Sequence, residues 1–166
     1  MSALDAGQRR LLLGHPAGWI ACGFGSGLSP IAPGTAGSLA ALLPWLVLRD
    51  LPWWSYLAVV AFAFALGVWA CAWVVRQLRV EDPGVAVWDE FVGLWIALSP
   101  LLTVAGGWAW IFAGFILFRF FDIVKPWPVS WADRRVPGGL GVMLDDVIAG
   151  IYAAASLLVL QRAMSL

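Results

Sequence analysis

Polar residues in this chain are confined to short interruptions between apolar runs, and the runs are too long and unbroken for strands. From Trp54 to Val75 there is no charged residue, a stretch long enough to cross a bilayer, which takes about 20 residues. Residues 88–104 are apolar after an acidic start, and residues 107–121 are apolar but for Arg119, following a breaker at Gly106. Residues 146–161 are apolar and alanine-rich after another acidic start, ending near Arg162. The segment 36–48 is the weakest: it is short and holds Pro44, so it is kinked or only partly inserted. Neither strand-like alternation nor a fixed-period repeat is present. The pattern predicts an all-α fold: a polytopic membrane helix bundle of about four or five apolar helices with a glycine-rich N-terminal loop, forming one domain over residues 1–166. Gly67, Gly93, Gly114 and Gly150 punctuate the runs as small residues do where membrane helices pack closely.

Composition agrees. Hydrophobic residues make up 62% of the chain and charged residues 12%, with a mean hydropathy of +0.87. A soluble domain carries about 25% charged residues, so much of this surface must face something other than water. The formal net charge is zero and no basic stripe tracks a phosphate backbone, which excludes nucleic acid as a partner. There are twelve tryptophans, and Trp45, Trp53, Trp54, Trp88, Trp108, Trp110, Trp127 and Trp131 lie near the ends of apolar runs. That placement fits an interfacial aromatic belt, with a minority left for the core. Cys22 and Cys71 have no metal-ligand spacing and form no disulfide framework. His15 is the sole histidine, which excludes a histidine triad or a multi-histidine metal site. Arg9-Arg10 precede Leu11–Leu13, but the run breaks at Gly14-His15-Pro16, too soon for a signal-peptide core. Residues 1–35 are therefore expected to belong to the mature protein.

With five crossings and a cytoplasmic amino terminus, loops 1–35, 76–87 and 122–145 share one face. Arg9, Arg10, Arg76, Arg79, Lys125, Arg134 and Arg135 fall on it, against Arg49 and Arg162 on the other. This is the asymmetry of the positive-inside rule.

Six of the ten acidic residues lie on that same face in three stretches. Asp89-Glu90 is followed by Gly93, and Asp145-Asp146 by Gly150. Each pair is expected at the start of an apolar helix, with a glycine one turn on for close packing. The helix dipole favours acids there, but capping explains only one carboxylate of each pair. Adjacent carboxylates repel unless a cation or protons neutralise them. Hard oxygen ligands of this kind suit Mg²⁺. The third stretch holds Arg119, Asp122 and Lys125, then Asp133 and Arg134-Arg135. Asp122 and Lys125 can share a helix face, whereas Pro126 pushes Lys125 toward the helix end. Snorkelling explains Arg119 or Lys125 alone; the mixed-sign group suits a phosphate held beside a metal.

The glycine-rich stretch Gly23–Ser38 carries the hydroxyls of Ser26, Ser29, Thr35 and Ser38, with Thr35 where an N-cap belongs. It is either an anion site at a helix N-terminus or a re-entrant connection capped by Thr35. It lacks the Gly-Lys-Ser/Thr ending of a Walker A loop. Carboxylates with Mg²⁺, cations and such a loop are the parts needed for phosphate-ester chemistry.

Four motifs in order, Gly25-Ser26-Gly27-Leu28-Ser29-Pro30-Ile31-Ala32-Pro33-Gly34-Thr35, Trp88-Asp89-Glu90-Phe91-Val92-Gly93, Phe121-Asp122 with Lys125-Pro126-Trp127-Pro128, and Asp145-Asp146 through Ala149-Gly150, resemble the bacterial phosphatidylglycerophosphatase A family. The resemblance runs from about Gly23 to Ala154. It implies an all-helical, Mg²⁺-dependent phosphatase of the cell inner membrane, multi-pass with a cytoplasmic active site. Its substrate would be phosphatidylglycerophosphate and its product phosphatidylglycerol. Carried over by motif, Asp89, Glu90, Asp122, Asp145 and Asp146 are the expected metal-binding and catalytic carboxylates. Lys125, Ser26, Ser29, Thr35 and Arg134 are expected at the substrate phosphate, and Asp133 lies between motifs. A proton-coupled carrier would place its acids near helix midpoints. An enzyme transferring phosphatidyl groups from a CDP-lipid would need a longer aspartate series, which is absent.

Overall fold

The computed structural model describes residues 4–103 and 107–164, so the expected breaker Gly106 and the end of the 88–104 segment lie outside the described residues. Among the described residues all regular structure is helical: α1 (Ala6–Leu13), α2 (Pro16–Ala21), α3 (Pro33–Leu48), α4 (Trp53–Leu78), α5 (Trp88–Leu98), α6 (Trp108–Val124), α7 (Val129–Arg135) and α8 (Gly138–Met164). A 3₁₀ segment, Gly23–Leu28, links α2 to α3, and another, Ser99–Leu102, continues α5. The five apolar segments expected from the sequence are α3, α4, α5, α6 and α8.

Local chemistry sets the ends. Asp5 and Gln8 form a reciprocal capping box on α1. His15 caps α2, its Nδ1 accepting from Ala17 N at 3.1 Å, while its ring stacks on Trp73 at 4.2 Å. The lone histidine is thus a structural residue. Helix α3 begins two residues before the expected cap: Ala32, at φ 47°, precedes Pro33 at the first helical position, and Thr35 sits inside the first turn. Proline's fixed φ pre-organises that start and removes a donor that would have no partner. The helix then runs through Pro44 to Leu48.

Among the described residues just two helices, α4 with 26 residues and α8 with 27, are long and apolar enough to cross a membrane, fewer than the four or five expected. The reason is length. The 17 residues of α6 rise roughly 25 Å and the 11 of α5 roughly 16 Å, against a hydrocarbon thickness of about 30 Å. Helix α5 is instead enclosed by protein. Trp88, Phe91, Val92, Leu94, Trp95 and Leu98 are all buried, and the helix packs against α3, α4, α6 and α8.

The tryptophans divide by neighbourhood. Trp45, Trp88 and Trp95 are core residues. Trp88 Nε1 donates to Ala63 O and Trp95 Nε1 to Ala41 O, both at 2.9 Å, so these two indoles satisfy their polar atoms on neighbouring helices. Trp54, Trp108 and Trp127 are exposed, as an interfacial belt requires. Both thiols are buried, and burial pushes the Cys22 thiol up to about 11. It is not poised as a nucleophile.

Candidate active site

Four helices bring polar side chains to one cavity of about 580 Å³, and a fifth presents its amino end there. The first turn of α5 supplies Asp89 and Glu90. The end of α6 supplies Asp122 and, past it, Lys125. Helix α7 adds Asp133, Arg134 and Arg135, α8 adds Asp145 and Asp146, and α3 presents its amino end at Pro33 and Gly34. All five expected carboxylates therefore face one space, as do Lys125 and Arg134.

The two acid pairs reach it differently. Asp89-Glu90 opens α5 as expected. Asp145-Asp146 does not open α8, which starts seven residues earlier at Gly138. The intervening glycines do not break the helix because packing uses them. A Cβ on Gly139 would strike the α4 backbone at Val68 and Ala72, so only glycine permits that approach. Asp146 thus lies about 12 Å along α8 from its start.

Ion pairs organise the site. Lys125 caps α6 with φ 46°, a left-handed residue at the helix end. Its Nζ donates to Asp133 and, at 2.7 Å, to Asp145 Oδ2, so it bridges α7 and α8 rather than pairing with Asp122. Partial burial works to lower the Lys125 ammonium's pKa. The hydrogen bonds and charges of Asp133 and Asp145 outweigh it and push the group above the ordinary lysine range. Arg119 is internal rather than snorkelling. It holds both oxygens of Glu90 and reaches Asp122 Oδ2 at 3.0 Å, one turn along α6. Ser38, fully buried, lies with Oγ 2.6 Å from Glu90 Oε2 and 3.0 Å from Gly34 O. Its single proton goes to the charged carboxylate, the stronger and shorter partner.

Three expected phosphate ligands are not brought to the cavity. Ser26 Oγ donates to Gly23 O and Ser29 Oγ to Ile31 O, both at 2.8 Å, closing local turns. Thr35 is not among the residues that line the space. Glycines of the Gly23–Ser38 stretch other than Gly25 serve packing. A Cβ on Gly27 would meet the Val85 carbonyl, and one on Gly37 would come within 2.7 Å of Val87 Cβ. Val87 N in turn donates to Ala21 O at 2.8 Å. Arg135, from the mixed-sign stretch, lines the cavity too; Glu81 and Asp82 also line it, and sequence reasoning did not assign those two. Glu81 and Asp82 sit between helices, where no helical spacing ties them to the motifs; being an adjacent acid pair ahead of Pro83-Gly84 was their one signal.

The donor set fits a divalent cation. Eight acidic side chains line the cavity against three basic ones. Asp145 Oδ1 and Asp146 Oδ2 are buried without a hydrogen-bond partner, and buried polar atoms are ordinarily satisfied. Among the described residues no three acidic, histidine or cysteine side chains are gathered around one point as a ready-made cage. Mg²⁺ does not need one: it is usually held by one or two carboxylates, with waters and substrate phosphate completing its sphere.

Comparison with known proteins shows the family. The family profile described as Phosphatidylglycerophosphatase A matches residues 19–161. The chain is 47% identical over 153 residues to phosphatidylglycerophosphatase A of Escherichia coli (strain K12), covering 92% of this chain and 88% of that protein. It is 42% identical over 154 residues to the Haemophilus influenzae protein of the same name, covering 92% and 93%. A Bacteroides thetaiotaomicron protein with the provisional name phosphatidylinositol-3-phosphatase is 48% identical over 143 residues, covering 81% and 86%. No solved structure matches the chain. A profile match across most of the length, together with two relatives of one name above 40% identity, places the chain in the phosphatidylglycerophosphatase A family of phosphatases.

Proposed function

We propose that this chain is a Mg²⁺-dependent phosphatidylglycerophosphatase of the bacterial inner membrane, releasing the terminal phosphate of phosphatidylglycerophosphate to leave phosphatidylglycerol. The observation that carries the reading is the pair of buried, unpartnered oxygens of Asp145 and Asp146 in a cavity that also holds Asp89, Lys125 and Arg134. Carboxylates alone would repel a phosphomonoester dianion. A bound Mg²⁺ would join the two by neutralising charge on the phosphoryl oxygens. Asp145 and Asp146, whose buried oxygens lack partners, would hold it, and Asp89 in the same cavity would add its charge. Arg134, with Arg135 beside it, would orient the phosphate, and Lys125 would fix Asp145 while presenting its own charge to the site. Hydrolysis breaks the bond between phosphorus and the glycerol oxygen, and water supplies the new oxygen on phosphorus. Neither cysteine nor the lone histidine lines the cavity, so water is the economical nucleophile.

Membrane placement is supported by α4 and α8, the two helices long and apolar enough to cross a bilayer among the described residues. The amino end of α3 and the first third of α8 face the cavity, so Arg49 and Arg162 lie toward the opposite ends of those helices. Lys125, Arg134 and Arg135 line the cavity, and Arg76 and Arg79 end α4 just before the lining residues Glu81 and Asp82, which supports a cytoplasmic active site.

The test is phosphate release by purified protein from phosphatidylglycerophosphate, phosphatidic acid, phosphatidylinositol 3-phosphate and a soluble phosphomonoester, with Mg²⁺ and with chelator. Preference for phosphatidylglycerophosphate that chelation abolishes is expected. Preference for the inositol lipid would reassign the substrate.

A further inference from the structure

Asp89 and Glu90 are adjacent in sequence, yet their carboxylates stand in opposite circumstances. Both Glu90 oxygens are held by Arg119 Nη1, and Oε2 also accepts from Ser38 Oγ at 2.6 Å. On its other side Glu90 is backed by Gly34: a Cβ there would run into Glu90 Oε1 and come within 3.3 Å of the Arg119 guanidinium. One carboxylate therefore ties α3, α5 and α6 together. Asp145 Oδ1 and Asp146 Oδ2, by contrast, are buried and accept from nothing.

To ligate a cation, Glu90 would have to give up Arg119. That would leave a guanidinium beside a divalent cation with only Asp122 to balance it, and breaking a buried pair in this way is strongly unfavourable. We infer that Glu90 is a positioning residue and not a cation ligand: with Arg119 and Ser38 it fixes the first turn of α5, and so holds Asp89 opposite Asp145 and Asp146. The inference rests on the magnesium-phosphatase reading above and divides its carboxylates. Asp89, Asp145 and Asp146 serve the cation, and Glu90 serves the geometry. Asp122, bound by the same guanidinium, extends that clamp along α6.

The experiment titrates Mg²⁺ alone into the purified full-length chain while following thermal unfolding. A ligand that binds the folded state raises Tm, so the shift reads cation binding without turnover. Separately, kcat and KM are measured on phosphatidylglycerophosphate at saturating Mg²⁺. Glu90→Gln, Ser38→Ala and Gly34→Ala are expected to keep the wild-type Mg²⁺-induced shift and KM while kcat falls about 10–100-fold, the usual effect of removing a residue that orients a ligand. Asp89→Asn and Asp146→Asn are expected to lose the shift. Loss of the shift in Glu90→Gln to the extent seen in Asp146→Asn would make Glu90 a ligand and overturn the inference. Wild-type kcat in both Ser38→Ala and Gly34→Ala would overturn it too. Neither of those two changes charge, so they carry the test if Glu90→Gln does not fold. A wild-type chain that shows no shift and keeps turning over in chelator overturns the magnesium reading itself, and this inference with it.

Discussion

Gly93 and Gly150 lie back to back where α5 meets α8: a Cβ on Gly150 would run into the carbonyl oxygen of Gly93. A Cβ on Gly93 would in turn sit 2.8 Å from the carbonyl oxygen of Asp146 and 2.6 Å from the Phe118 ring. Each glycine follows its acid pair by about one turn. Backbone contact therefore sets how near Asp89 on α5 comes to Asp146 on α8. Close packing at small residues, read from the sequence as a feature of membrane helices, is here the device that assembles the site.

A methyl group at Gly150 should accordingly act on chemistry as well as stability. Gly150→Ala meets backbone, which cannot rotate away, so overpacking of about 1–3 kcal/mol is expected. Helices α5 and α8 should part, and phosphate release should fall out of proportion to the drop in Tm. Gly114→Ala is the control: its Cβ would meet Leu98 Cδ2 at 2.5 Å, the far end of a flexible side chain. Tm and turnover of the two variants together decide the point. Full activity in Gly150→Ala would show that helix separation does not control the site.

Removing one cation-facing carboxylate should silence the enzyme without unfolding it. Asp89→Asn and Asp146→Asn preserve shape and hydrogen-bonding volume while deleting charge, and each relieves repulsion among buried acids. Activity should fall by at least about a hundredfold, with thermal stability equal to or above wild type in chelator. Chelation should likewise stop the wild-type enzyme, and added Mg²⁺ should restore it. Turnover in both variants near the wild-type rate would remove these residues from the site.

Lys125 gives a prediction with a pH sign. It joins α7 to α8 through Asp133 and Asp145. Lys125→Met would leave the mostly buried Asp145 carboxylate unpaired, at a cost of about 1–3 kcal/mol. The ammonium's pKa is raised on folding, so its contribution is complete below the unfolded lysine value and is lost as pH climbs through the higher folded value. The Tm difference between wild type and Lys125→Met should therefore hold from about pH 8 to 9, where Asp145 is a carboxylate, then shrink in stronger alkali. A difference that fades between those limits would contradict the pairing.

How much of this could be read from the chain alone depended on which residues carried a periodic signal. The apolar runs located all five principal helices, and the acid motifs named residues that do converge on one cavity. The span of α8 was misjudged because Gly138, Gly139 and Gly141 argue against a helix by propensity. The approach of Gly139 to the α4 backbone, a tertiary fact, overrides that preference. Thr35 was expected to cap α3, although Pro33 already marked the first helical position. Arg119 alone in an apolar run resembles a snorkelling residue; Glu90, 29 positions earlier, draws it inward. Nothing local encodes that pairing.

The rim of the cavity gives the last prediction. Beside Lys125 stand Ile123, Val124 and Trp127, all exposed, with Trp127 at 77%. In water such a cluster would be an unfavourable apolar patch; at a bilayer surface it seats the catalytic face against the headgroups, with the indole at the interface where tryptophan is favoured. Trp127→Ala should then weaken action on phosphatidylglycerophosphate in vesicles far more than on a short-chain, water-soluble analogue. The polar site behind the rim is untouched, so KM for the vesicle substrate should rise while kcat on the soluble analogue stays near wild type. Fully burying a large side chain is worth roughly 1.5–3 kcal/mol, and an indole settling partway into an interface gains less, so a shift of about three- to tenfold in KM is expected. Equal loss on both substrates would place Trp127 in the fold or the chemistry instead of the membrane contact.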